Sequence, residues 1–317
     1  MRTAWDWTKP VSSVDVSATS TIKAVLLRLL RSPLLRMLYF ALMLAALTAA
    51  AMWLAKMAGI PRNSLKTMQG NLPFTVLAVL PSVLAYWLLV RWVERRKVSE
   101  LDWRKLPHLL WGVLGGLLLF LVLTALLWIA GVYTITGVSD APLWSLFLLT
   151  AVAPAITEEI VSRGILFRLT EEGLGTWIAL AVSALFFGFM HAGNPGATAW
   201  SSIAISIEAG LLFGLLYHVT RSLWWCIGLH ASWNFVQGAV FGIPVSGIAV
   251  DGVLDSRLQG PDWLDGGGFG AEASVLTVLT CSIITLLLAR HMLRTGTVVA
   301  PFWKGARRTD AEIAALR

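Results

Sequence analysis

The sequence predicts an all-α fold, a polytopic transmembrane helical bundle of about eight spans. Composition and one recurring pattern carry that expectation. Of 317 residues, 57% are hydrophobic and 14% charged, where a soluble domain has about 45–50% and about 25%; the mean hydropathy is +0.73. Long apolar runs recur along the chain, each near the ~20 residues a helix needs to cross a hydrocarbon core. Trp53, Trp87, Trp92, Trp111, Trp128, Trp144, Trp177, Trp200, Trp224 and Trp225 fall near the ends of these runs, where indoles anchor at the membrane interface.

Taken in order, residues 1–32 read as a cytoplasmic tail and an interfacial segment. The first 20 are polar, with no cleavable signal. From Thr21 to Ser32, Lys23, Arg28 and Arg31 are set among leucines before Pro33, as in a helix lying among headgroups. Residues 33–142 carry spans at 34–55, 73–93 and 107–130. A core over 143–241 carries the next four, at 143–169, 176–192, 199–219 and 222–241. Residues 242–272 form a loop rich in Gly and Asp, with Asp251, Asp255, Asp262, Asp265 and the run Gly266-Gly267-Gly268; such composition predicts a flexible cap or connector. Residues 273–294 supply the eighth helix, and 295–317 a basic cytoplasmic tail. Gly112 with Gly116, and Gly210 with Gly214, offer smooth helix faces for close packing.

A net charge of +7 does not point to nucleic acid, because the basic residues sit in short segments between apolar runs. The spans sort the polar segments into two alternating sets. One holds 20 of the 25 basic residues; the other holds Lys56, Arg62, Lys66 and Arg257, and Arg163 lies within a span. The positive-inside rule therefore predicts a multi-pass protein of the cell membrane with both termini cytoplasmic and the 242–272 loop outside. The two cysteines, Cys226 and Cys281, lie in apolar runs without metal spacing, which excludes zinc knuckles and a disulfide framework.

Chemistry is expected where ionisable groups enter the membrane, since each is costly there unless paired or hydrated. Glu158, Glu159 and Arg163 lie in the fourth span after Pro154, His191 ends the fifth, Glu208 lies in the sixth, and His230 and Asn234 in the seventh. Glu159 and Arg163, four apart, share a helix face and can form an ion pair. Glu158 points about 100° away, with no partner in its own helix. The bland reading is a buried salt bridge beside a solvated cavity residue. His230 and Asn234, also four apart, project from one face and can both donate to one oxygen. A base, an imidazole and paired oxyanion donors are what amide hydrolysis by activated water requires. On these spans, His191 stands nearer the outer face than Glu158 and His230. Glu158, His191 and His230 could alternatively form a two-His, one-carboxylate zinc set; the absence of an HExxH helix favours metal-free catalysis.

Three ordered motifs resemble those of the CPBP intramembrane proteases, the CAAX-protease and bacteriocin-processing (Abi) family that includes Rce1-type prenyl-protein endopeptidases. They are EExxxR from Glu158 to Arg163, FxxxH from Phe187 to His191, and HxxxN from His230 to Asn234. The resemblance covers about 145–240. It implies a glutamic-type intramembrane endopeptidase cleaving a membrane-anchored protein or peptide near its C-terminus. Glu158 would activate water with help from His191, and His230 and Asn234 would stabilise the oxyanion. Glu159, Arg163 and Phe187 would support them, with no cofactor. Some family members act by binding, so a non-catalytic scaffold or immunity protein is the alternative. The HExxH, GxSG and paired membrane Asp signatures of other intramembrane proteases are missing, and no internal repeat suggests a transporter.

Overall fold

The computed structural model describes Leu30, residues 32–60 and residues 71–304. The polar tail, nearly all of the interfacial segment and the end of the basic tail lie outside the described residues. Among the described residues, eight helices of 12 residues or more stand in the expected order: α1 Pro33–Met57, α2 Leu72–Val93, α3 Trp103–Ile129, α4 Leu143–Leu174, α5 Thr176–Met190, α6 Ala199–Thr220, α7 Leu223–Asn234 and α8 Val275–Thr295. A π-helical segment, Phe235–Val240, continues α7. Among the described residues, six helices are long and apolar enough to cross a membrane, whereas α5 and α7 are shorter. Leu34, Leu42, Trp53 and Leu54 of α1, and Leu110, Leu114 and Leu118 of α3, point out of the bundle. Helices apolar on their outward faces as well as their inward ones suit a lipid surround, and the protein is a multi-pass membrane bundle.

Helix ends follow local chemistry. Ser32 caps α1 by accepting from the Leu35 N–H at 3.4 Å, with Pro33 in the first turn, where its missing donor costs nothing. Ser274 caps α8, and Gly296 ends it at φ 65°, a left-handed conformation that glycine adopts without strain.

Close backbone approach fixes α3 against α7. A Cβ on Gly112 would stand 2.4 Å from the Trp225 carbonyl oxygen, one on Gly116 2.4 Å from that of Leu229, and one on Gly228 2.4 Å from that of Leu109. The smooth face expected at Gly112 and Gly116 is thus in use, met by a third glycine. Gly210 plays the same part between α6 and α5, where a Cβ would lie 2.7 Å from the Ala184 Cα.

At one end of the bundle, charged residues from three helices converge. Glu94, just after α2, accepts from Arg36 of α1 at 3.2 Å, from Arg96 at 2.7 Å and from both terminal nitrogens of Arg168 of α4 at 2.9 and 3.0 Å. Arg96 also reaches Glu100 at 2.7 Å, and Lys105 donates to the Arg221 carbonyl at 2.8 Å. Arg36, Arg96, Lys105, Arg168 and Arg221 all belong to the strongly basic set of segments, which the structure gathers together.

The 242–272 segment departs from the expected flexible connector. Its strand β2, Leu254–Leu258, pairs antiparallel with β1, Tyr133–Val138, after α3; Tyr133 faces Leu258, and a bulge falls between Ile135 and Gly137. Phe269, Ala271 and Glu272 are buried. The physical reason is that its glycines let backbone nest against backbone: a Cβ on Gly196 would meet the Gly268 carbonyl oxygen at 2.4 Å, and one on Gly247 (φ 82°) the Pro195 oxygen at 1.9 Å. Polar, Gly-rich chain builds no apolar core alone, but here it fills the rim of someone else's.

Candidate active site

The fourth helix is irregular where its carboxylates stand. Between π-helical segments Phe147–Val152 and Ile160–Phe167 lies one α-helical stretch, Ala153–Glu159, with Pro154 in its first turn. Proline has no N–H to give the preceding turn, and the widened turns on either side are of the kind often found at functional sites. The Thr157 hydroxyl donates to the Ala153 carbonyl at 2.7 Å. Regular α-helix thus begins beside Pro154.

Glu159 is completely buried and holds the centre. Its Oε1 accepts from Arg163 at 2.9 Å, as the four-residue spacing predicts, and from the His230 Nδ1–H at 2.9 Å. The Arg163 guanidinium lies between the rings of Phe187 and Phe213, 4.5 and 5.1 Å from their centroids, and donates to the Ala209 carbonyl at 2.8 Å. Those two faces and two acceptors answer the cost of a buried cation.

His191 caps the end of α5, its Nδ1 2.7 Å from the Phe187 carbonyl oxygen. A carbonyl only accepts, so Nδ1 carries the proton and Nε2 faces away from it. Both imidazoles thereby turn Nε2 toward Glu158, whose Oε2 lies 3.9 Å from His191 Nε2 and 4.0 Å from His230 Nε2. The depth mismatch expected between His191 and the other two disappears: α5 is only 15 residues long, and its C-terminal His191 comes level with Glu158. Glu158 is a quarter exposed, while its Oε2 is buried without a hydrogen-bond partner. The carboxamide of Asn234 lines the same cavity one turn beyond His230.

The structure therefore brings together Glu158, Glu159, Arg163, Phe187, His191, His230 and Asn234. Phe213 went unrecognised in the sequence, although it lies in the Gly-Leu-rich stretch leading to the last motif. Glu208, whose role the sequence left open, lines the cavity and is buried, its Oε2 also without a partner. Facing the cavity from the segment before α8 is Glu272, which no motif marks. It accepts from the backbone N–H and hydroxyl of Ser246, and burial pushes its carboxyl up to about 7 despite those donors. Among the described residues, no group of three His, Cys, Asp or Glu is placed to hold a metal ion.

Residues 140–236 match the sequence model of a family described as Rce1-like, type II CAAX prenyl endopeptidase Rce1-like. The matched stretch contains all three motifs, bears out the resemblance read from them, and supports a CAAX-type membrane protease as the kind of protein this is. No curated protein and no solved structure matches the chain.

Proposed function

We propose that this Rce1-like chain is an intramembrane endopeptidase of glutamic type, cutting a membrane-anchored protein or peptide near its C-terminus. The observation that carries the reading is the placement of Glu158 between two imidazoles whose Nδ1 atoms are both engaged elsewhere, leaving both Nε2 atoms directed at the one carboxylate.

In this reading, Glu158 takes the proton from a water that His191 Nε2 orients by accepting its second hydrogen. The hydroxide adds to the scissile carbonyl. Neutral His230 has only a lone pair at Nε2, since its Nδ1–H is given to Glu159, so it serves the oxyanion in its doubly protonated form. Glu158 and Glu159 then balance Arg163 and His230, and the four-residue cluster is neutral, which suits a low-dielectric site. Asn234 supplies the second donor. Glu158 finally returns its proton to the leaving amine, completing general base and general acid steps with one carboxyl.

Cleavage of membrane-anchored peptides by purified protein in lipid nanodiscs, compared with Glu158→Gln, tests the proposal. The variant keeps shape and polarity but cannot take the proton, and turnover is expected to fall by about 10³-fold or more with unfolding temperature unchanged. Full cleavage by Glu158→Gln, or none by the native chain, rejects the mechanism, and the second result favours a scaffold that binds without cutting.

A further inference from the structure

The cavity beside the Glu158 cluster carries two carboxyls that the mechanism leaves unused. Glu208, on α6, is 2% exposed, and its Oε2 meets no hydrogen-bond donor among the described residues. Glu272 is 4% exposed and approaches from the turn before α8. Both line the cavity that His191, His230 and Asn234 line. Glu272 has its own tether: Ser246, at φ 48°, gives it a backbone N–H and a hydroxyl, while the Ser246 carbonyl accepts from Asn194 at 2.9 Å. A non-glycine residue in the left-handed region carries backbone strain, and here its two hydrogen bonds to a carboxyl at the cavity wall offset that cost. Glu208 has no such donors.

Charge around the site is unevenly matched. Glu158, Glu159, Glu208 and Glu272 surround it, and the permanent cation among them, Arg163, is committed to Glu159 and to backbone on α6. Once His230 is charged, the Glu158 cluster is balanced, and among the described residues neither Glu208 nor Glu272 is ion-paired with a Lys or Arg.

We infer that Glu208 and Glu272 form a cation-recognising subsite that takes the ammonium or guanidinium of a basic side chain near the scissile bond. This deepens the protease reading and rests on it for the identity of the ligand as a peptide. A Lys or Arg head brings several N–H donors on a long apolar stem. That suits a carboxyl pair in a cavity that Phe187, Ile205 and Phe213 also line.

The test uses the purified full-length protein in nanodiscs and lipid-anchored peptides in which Lys, Arg, norleucine, Gln or Glu is placed in turn at each position flanking the cleavage point. Binding is read by fluorescence anisotropy and cleavage by mass spectrometry. Lys or Arg at one position is expected to be preferred over norleucine about tenfold or more, since a desolvated ion pair is replaced by an unpaired carboxyl. In Glu208→Gln that ratio is expected to fall below about threefold. Should Glu208→Gln fail to fold, Glu272→Gln is read instead, and the scan on the native chain stands by itself. Cleavage without a basic preference, or a preference that survives loss of either carboxylate, overturns the subsite while leaving the protease intact. Basic peptides that bind selectively but are never cut keep the subsite and reject the protease. Peptides that neither bind nor are cut overturn both.

Discussion

His230 gives its Nδ1–H to Glu159 at 2.9 Å, and the same carboxylate oxygen takes the Arg163 guanidinium at 2.9 Å. One buried oxygen thus sets both the tautomer of the imidazole and the position of the cation. Exchanging that residue is expected to do something different from exchanging its neighbour. Glu159→Gln leaves Arg163 buried without its anion, and breaking such a pair costs about 3–5 kcal/mol. Thermal unfolding in detergent should show a clear loss of stability together with lost cleavage. An unchanged unfolding temperature would show that the pair is not structural.

A second prediction concerns the glycine at the α3–α7 contact. In Gly228→Ala the new methyl meets the Leu109 carbonyl at 2.4 Å and the Val113 nitrogen at 3.0 Å, both backbone atoms. The helices must separate, at about 1–3 kcal/mol, and His230 moves with α7. Cleavage should drop about tenfold or more. Gly115→Ala is the control, its nearest new contact being the Trp225 ring at 3.8 Å. Equal activity in the two variants would refute a role for this contact in placing His230.

Acid should attack the ion cluster at the end of the bundle. Burial alone raises the Glu94 carboxyl, but Arg168, Arg96 and Arg36 outweigh it and hold Glu94 at about 2; Glu100 is lowered too, by Arg96 and Arg168 against its burial. A carboxyl held below its unfolded value, near 4.5, stabilises the fold at every pH above that value. The contribution fades as pH falls from about 4.5 toward 2. For Glu94 it is on the order of 3 kcal/mol. Unfolding temperature should decline over that interval, and Glu94→Gln should be less stable at neutral pH with a flatter acid limb. Parallel curves for the two proteins would contradict the assignment.

Metal content is a separate question, because His191 Nε2 and His230 Nε2 stand 3.9 and 4.0 Å from the Glu158 carboxylate. Elemental analysis of active protein, with chelator and zinc add-back, is expected to find no stoichiometric zinc and unchanged cleavage after chelation. One tightly bound zinc per chain, whose removal and return switch activity, would replace the general-base scheme with a metal-bound water.

The charge distribution also fixes an expected orientation. Reporter fusions after Lys105 should read cytoplasm, and fusions within 250–265 the opposite side. The same side for both would break the proposed topology.

Much of the fold was legible because lipid leaves the chain few options: backbone groups must be satisfied within each segment, so an apolar run of sufficient length becomes a helix. Glu159 with Arg163, and His230 with Asn234, were legible for a local reason, four-residue spacing on one helix. Glu272 was not, since what gives it meaning is a loop folding back over the cavity, and Gly-rich sequence is equally compatible with slack. The tautomers of His191 and His230 depend on a carbonyl within one helix and a carboxylate on another, and spacing along the chain encodes only the first. Phe213 needed the path of Arg163 to be known before its ring had anything to cover.

Arg163 ties four helices together: it starts on α4, lies against rings of α5 and α6, and reaches α7 through Glu159 and His230. During biogenesis these helices emerge in sequence, and α7 emerges last among them. Until it docks, Glu159 has no imidazole to orient and Glu158 stands beside a single histidine. In the proposed mechanism the site is therefore incomplete until α7 has docked, since that helix brings both His230 and Asn234.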